Sequence, residues 1–152
     1  MRVIGIVAEY NPFHTGHQYQ ISESRRAVGG EAGVVAVMSG NWVQQAGCAI
    51  TDKWNRARLA LMGGVDLVLE LPTVWAVSSA ESFAQGAVDL LEATGVVDVL
   101  SFGSECGDVD RLQRVAVCLN SPVYETGVRR FVDEGMPFAS SRQETVRSIL
   151  GP

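Results

Sequence analysis

The chain is almost without lysine and histidine. Its 152 residues hold one lysine, Lys53, against eleven arginines, and two histidines, His14 and His17. The arginine bias reads as coding preference. A single lysine surviving it points weakly to a need for an ammonium there, because the two cations are not interchangeable. Cysteine is sparse too. Cys48, Cys106 and Cys118 are odd in number, scattered and without a CxxC pair. They support neither a disulfide framework nor a zinc site, and the expected location is a reducing cytoplasm. Apolar runs stop at about six residues, where a membrane helix needs about 20. No charged-then-apolar export pattern precedes a cleavage site, so Met1 reads as the mature start. Basic excess is missing as well: the net charge is −5, which excludes a nucleic-acid module by bulk charge. Only Arg129, Arg130, Arg142 and Arg147 form a candidate RNA patch, and a solvated helix face explains the same residues. No GxGxxG follows the first strand and no GxxxxGK[ST] occurs anywhere. The dinucleotide fingerprint and the P-loop are therefore both out.

What remains is an alternation of short apolar runs with helical patterns. Strands are expected at Val3–Ala8, Gly33–Met38, Val65–Glu70 and Asp98–Phe102. A helix from His17 to Val28 ends at Gly29-Gly30, and a second, capped by Thr51-Asp52, runs to Met62. Ser39 to Ile50 reads as a loop. Ser78 and Glu81 have capping-box spacing, before a helix carrying Ala80, Phe83, Ala84, Ala87, Leu90 and Leu91 on one face. Further helices are expected at Asp108–Leu119, Val123–Glu134 and Arg142–Leu150. Nearly all-apolar strands separated by helices mean a parallel sheet covered on both faces. The expected fold is α/β: a Rossmann-like, doubly wound parallel sheet of at least four strands. Residues 1–152 are expected to form one nucleotide-binding domain with a helical extension at 108–152.

In such a sheet, ligands bind beyond the carboxyl ends of the strands, where strand order reverses. The first and fourth strands are usually neighbours there. "EYNPFHTGH" follows the first and "GSEC", Gly103 to Cys106, the fourth, so both would face one crevice. Pro12 directs the chain out of the strand. Gly16 has no Cβ and allows close backbone approach. The helix that follows presents free N–H groups and a positive dipole end, which suit an anion. The dipole contributes about 0.3–1 kcal/mol per charge. Each hydrogen bond to a charged group contributes roughly 1.5–3 kcal/mol. Two imidazoles aimed at phosphates therefore matter more than the dipole. Zinc ligation at i,i+3 lacks a carboxylate or cysteine at suitable spacing, so no metal site is expected. Ordinary packed histidines remain the other reading.

"HTGH" resembles the HxGH signature of the nucleotidyltransferase superfamily, which includes the class I aminoacyl-tRNA synthetases. With it come "GIVAEYNPFHTGHQY", "MSGNWVQ", "DKWNRARLAL", "GVDLVLELP", "SAESFAQGAVDLL" and "FGSE". Together, in this order over nearly residues 1–107, these blocks resemble the tRNA(Met) cytidine acetate ligase family. The resemblance implies ATP-dependent activation of acetate as acetyl-adenylate. Acetyl transfer to the wobble cytidine of elongator tRNA(Met) follows, giving acetylcytidine. It implies ATP, with Mg²⁺ on the nucleotide, as cofactors, and no membrane. His14 and His17 would act on the phosphates. Val7, Ala8, Glu9, Tyr10, Asn11, Pro12, Phe13, Thr15, Gly16, Gln18, Tyr19 and Gln20 would line the nucleotide, with Gly103 across the crevice. Lys53 and Arg56 are candidate additional cationic donors, against solvated helix-surface charges. Ser39, Gly40 and Gln44 are expected to line the same crevice. Glu70 fits a capping or structural role. Trp42, Trp54 and Trp75 suit packing better than base stacking. The family's pattern continues with an asparagine-rich segment, an arginine and a tRNA-holding C-terminal region, none of which is found in these residues. Two other functions stay open: a nucleotide-binding module without full activity, and an adenylyltransferase on another small acceptor.

Overall fold

The computed structural model describes residues 1–44 and 47–151. Two compact units divide the chain, Met1–Gly103 and Ser104–Pro152.

The first unit is built on four parallel strands, β1 (Arg2–Ala8), β2 (Ala32–Ser39), β3 (Leu67–Leu71) and β4 (Val99–Ser101), in the order β3-β2-β1-β4. β1 is central and pairs with β2 from Arg2↔Ala32 to Ala8↔Met38, and with β4 from Ile4↔Val99 to Ile6↔Ser101. The chain winds outward through β2 and β3, then returns to place β4 on the far side of β1. Strand order therefore reverses between β1 and β4, where a ligand crevice is expected in such sheets.

Period-2 alternation divides the strand residues between two cores. Ile4, Ile6, Val34, Ala36 and Met38 pack with Ile21 of α1 (Thr15–Ala27) and Ala60 of α2 (Lys53–Met62). Val35, Val37 and Leu71 pack on the other face with Ala76 of α3 (Thr73–Ala76) and Ala87 and Leu91 of α4 (Ala80–Ala93). Gly5 is required on that face: a Cβ there would lie 2.9 Å from both Leu91 and Val97 side chains.

The structure corrects several expected boundaries. The first helix begins at Thr15 rather than His17, because His14 is its N-cap. β3 starts at Leu67, not Val65. Val65 is buried but precedes the pairing, and the Asp66 carboxylate accepts from Val34 N–H at 2.7 Å. The cap of α4 is Ser79, whose hydroxyl accepts from Ser82 N–H; the Ser78 hydroxyl instead donates to Trp75 C=O, closing α3. Ala80 and Ala84 are exposed, and Gly86 takes the buried position on that face.

The second unit holds α5 (Val109–Leu119), α6 (Pro122–Asp133) and α7 (Phe138–Leu150). α7 starts four residues before the expected Arg142, directly after Pro137. α6 and α7 approach closely: a Cβ on Gly127 would lie 2.6 Å from Thr145. Within this unit Arg142 donates to the Tyr124 hydroxyl at 2.8 Å, Arg147 sits 3.5 Å from Glu144, and Arg130 stacks over Phe131.

Candidate active site

The segment from Glu9 to His17 crosses the carboxyl edge of the sheet. Tyr10 turns it with φ +46°, a left-handed conformation that is rare for a bulky residue. Its ring is buried at 1% exposure, against Phe13 (centroids 5.1 Å apart) and edge-on to His17 (4.9 Å). Burial pushes the Tyr10 phenol up to about 12. Phe13 lies against Gly63 at the end of α2, where a Cβ would collide with the ring.

The two histidines cap their own helix. His14 Nδ1 accepts from Gly16 N–H at 3.1 Å, and His17 Nδ1 accepts from His14 N–H at 3.2 Å. This is a capping box built from imidazoles in place of hydroxyl and carboxylate. The rings stack with centroids 3.7 Å apart. Both Nδ1 atoms act as acceptors, so the hydrogen bonds assign each ring the neutral tautomer with its proton on Nε2. Burial, and then the charge of His14, lower the His17 pKa. The pair is therefore two neutral Nε2–H donors at a helix N-terminus, whose positive dipole end adds to them. Gly16 makes room for this arrangement: a Cβ there would lie 2.9 Å from His14 Cε1. The space Gly16 clears is filled by the His14 ring.

The other expected site residues take different places. Val7 packs against the second core and Ala8 against the first, so each faces away from the crevice through its side chain. Asn11, Pro12, Thr15, Gln18 and Tyr19 are exposed. Glu9 accepts from Gln44 N–H, and Asn11 from Ile50 N–H, each at 2.7 Å. These two bonds tie the β1 loop to the loop after β2. Gln20 reaches across the switch point and donates to Ser101 C=O at 3.3 Å. Gly103 stands two residues further along, with open space around it.

Arg56 is not on a solvated helix surface. It is fully buried, and its guanidinium donates to the carbonyls of Glu9, Ser39 and Gly40. Ser39 is the last residue of β2 and is fully buried, so it is part of the sheet rather than lining beyond it. Gly40 is pressed against the Glu70 carboxylate. Glu70 lies within β3 and pairs with Lys53 Nζ at 2.6 Å. Lys53 Nζ also lies 5.4 Å from the Trp54 ring centroid. Trp54 is 76% exposed, whereas Trp75 packs over Gly86, where a Cβ would lie 2.5 Å from the ring. Sequence reasoning missed Asn41, whose Oδ1 accepts from Lys53 N–H at 2.9 Å, and Gly63 behind Phe13. Gly63 directly follows the expected helix end at Met62, and no sequence pattern announces its contact with a ring. Among the described residues no three His, Cys, Asp or Glu side chains gather as a metal site. No described helix is long and apolar enough to cross a membrane.

A family model for HIGH nucleotidyl transferases matches residues 1–151. The chain belongs to this family. A tRNA(Met) cytidine acetate ligase of Clostridium perfringens (strain SM101) is 45% identical over 152 residues, which is 99% of this chain and 38% of that protein. The protein of the same name from Caldanaerobacter subterraneus is 46% identical over 153 residues, with the same coverage. A crystal structure of Thermotoga maritima TmcAL bound with alpha-thio ATP is similar with a TM-score of 0.89 and 43% identity, covering 99% of this chain and 38% of that one. The apo TmcAL structure gives the same score and identity. The chain thus spans about 38% of the length of the curated relatives it matches. In this family member "HTGH" lies at the N-terminus of α1. Its Rossmann-like sheet agrees with that of its structural neighbours.

Proposed function

We propose that this chain supplies the ATP-activating part of a tRNA(Met) cytidine acetate ligase. The observation that carries the reading is the imidazole pair of His14 and His17. It presents two neutral Nε2–H donors at the positive dipole end of α1, on the carboxyl side of the sheet where strand order reverses. The names of the relatives supply acetate and tRNA(Met), and alpha-thio ATP in a similar structure supports the nucleotide.

In this reading the backbone of Val7 to Gln20 passes along the nucleotide, and Gly103 leaves open space opposite. An acetate oxygen attacks the α-phosphorus and pyrophosphate leaves, giving acetyl-adenylate. The exocyclic amine of the wobble cytidine then attacks the acetyl carbon, loses a proton and releases AMP. The two Nε2–H groups stabilise charge growing on the phosphates, and the chain otherwise positions the reactants. Lys53 adds a cationic donor if it exchanges Glu70 for a ligand oxygen. Mg²⁺ would arrive with the triphosphate and offset its charge, with no protein ligand assigned to it. The expected setting is the cytoplasm.

Acetate-dependent exchange of labelled pyrophosphate into ATP tests this. Exchange that requires acetate and vanishes in H14A and H17A supports it; exchange indifferent to acetate contradicts it. The short span relative to the relatives favours one second reading, a nucleotide-binding module that needs further protein for turnover. That reading predicts ATP binding without exchange. Exchange driven by a different small acceptor would identify an adenylyltransferase of another kind.

A further inference from the structure

Arg56 is the largest fully buried side chain of the protein among the described residues. A buried guanidinium is costly to desolvate unless its donors are satisfied. Here Nη1 and Nη2 donate to backbone carbonyls, while Nε–H has no partner among the described residues. Glu9 C=O lies just past the end of β1, Ser39 C=O ends β2 and Gly40 C=O follows it. One side chain from α2 therefore fastens the carboxyl ends of the two central strands to each other. The peptide it holds at Glu9 leads directly into Tyr10, with its φ of +46°. The same turn is pinned from outside by Gln44 N–H on Glu9 Oε1 and Ile50 N–H on Asn11 Oδ1. From inside, the Tyr10 ring bears on Phe13 and His17. Such conformations persist only where surroundings over-determine them.

We propose that Arg56 is a positioning residue: by clamping these three carbonyls it sets the Tyr10 turn and so aims His14 and His17. Its service to catalysis rests on the reading that the two imidazoles take the nucleotide phosphates. It does not touch the ligand. Burial lowers the Arg56 pKa, and the charges of Glu9, Asp52 and Glu70 oppose that shift; an arginine keeps its charge in proteins. Lysine cannot replace it, because one ammonium lacks the planar fork that reaches both strand ends.

The test uses R56K and R56M, with L91A as a control of comparable stability loss in the opposite core. Circular dichroism and thermal melting check folding. The chain has two histidines, so the two imidazole Cε1–H signals and the cross-ring NOE report the pair directly. Calorimetry reports ATP affinity. The folded Arg56 variants are expected to shift both signals, weaken the cross-ring NOE and lose roughly 10- to 100-fold in ATP affinity, the scale of one lost hydrogen bond to a charged phosphate. L91A is expected to leave all three unmoved. Unchanged histidine signals in folded R56K, or equal changes in L91A, overturn the proposal. Should the Arg56 variants fail to fold, G40A displaces one clamped carbonyl against Glu70 and carries the same prediction. If the unmodified chain binds no ATP, the proposed function falls, while the NMR arm still decides the clamp.

Discussion

Replacing His14 separates its two tasks. Its Nδ1 caps α1 and its Nε2–H is free to donate. Alanine removes both functions. Serine restores a capping oxygen, since serine ranks among the best N-cap residues, but has no donor at the Nε2 position. Loss of the cap costs about 1 kcal/mol, which for a chain of this length lowers the melting temperature by roughly 2–4 °C. Loss of one hydrogen bond to a charged phosphate costs roughly 1.5–3 kcal/mol, a fall in affinity of about 10- to 100-fold. H14A should therefore lose both stability and ATP affinity. H14S should melt within about a degree of the unmodified chain and still bind ATP about 10- to 100-fold more weakly. Differential scanning fluorimetry and isothermal calorimetry, on the same samples, give both numbers. Unchanged ATP affinity in H14S would refute the donor role. Equal destabilisation in both variants would refute the cap.

Other outcomes follow from the same geometry. G63A places a methyl group in the Phe13 ring. It should lower ATP affinity by roughly tenfold through the displaced β1 loop, as calorimetry would show, whereas undisturbed binding would mean that Phe13 does not anchor it. G16A puts a Cβ 2.9 Å from His14 Cε1 and should separate the stacked rings, read as loss of their cross-ring NOE. The lowered His17 pKa makes the unfolded chain bind its proton more readily. Its contribution to stability is complete above the ordinary value of 6.5 and declines as pH falls from there through the lowered pKa. H17Q should flatten that part of the acid stability profile. Tyr10 has the opposite sign. With a pKa raised from 10.0 to about 12, its contribution is complete below pH 10 and is lost as pH rises through about 12. Y10F should remove that alkaline decline in thermal melts.

Much of the first unit was legible because its central strands are buried on both faces. "VIGIVA" and "GVVAVM" are unbroken apolar runs, and a parallel sheet accounts for them. Legibility failed where tertiary contacts decide. Histidine is not among the usual N-cap residues, so the start of α1 was placed two residues late. Val65 is apolar and buried, yet Asp66 turns to bond the Val34 amide before pairing begins. α3 has four residues, too few to show a helical period. Serines stand at both 78 and 79, and only the backbone path decides which caps α4. The site divides in the same way. The HTGH histidines stand out by type and spacing, but the capping box they form with the backbone does not. Nor does the burial of Arg56, because an arginine at the start of a helix usually marks a solvated face. Its partners are carbonyls, which no side-chain pattern reveals.

The central claim is that both histidines stand as neutral Nε2–H donors for a nucleotide's phosphates. Long-range ¹H–¹⁵N spectra of the two imidazoles at pH 7.5, recorded during titration with ATP, test it directly. The prediction is an Nε2–H tautomer for both rings in the free protein, with saturable shifts of both Nε2 signals as ATP binds. An Nδ1–H tautomer, or signals that stay fixed while ATP binds, would contradict it.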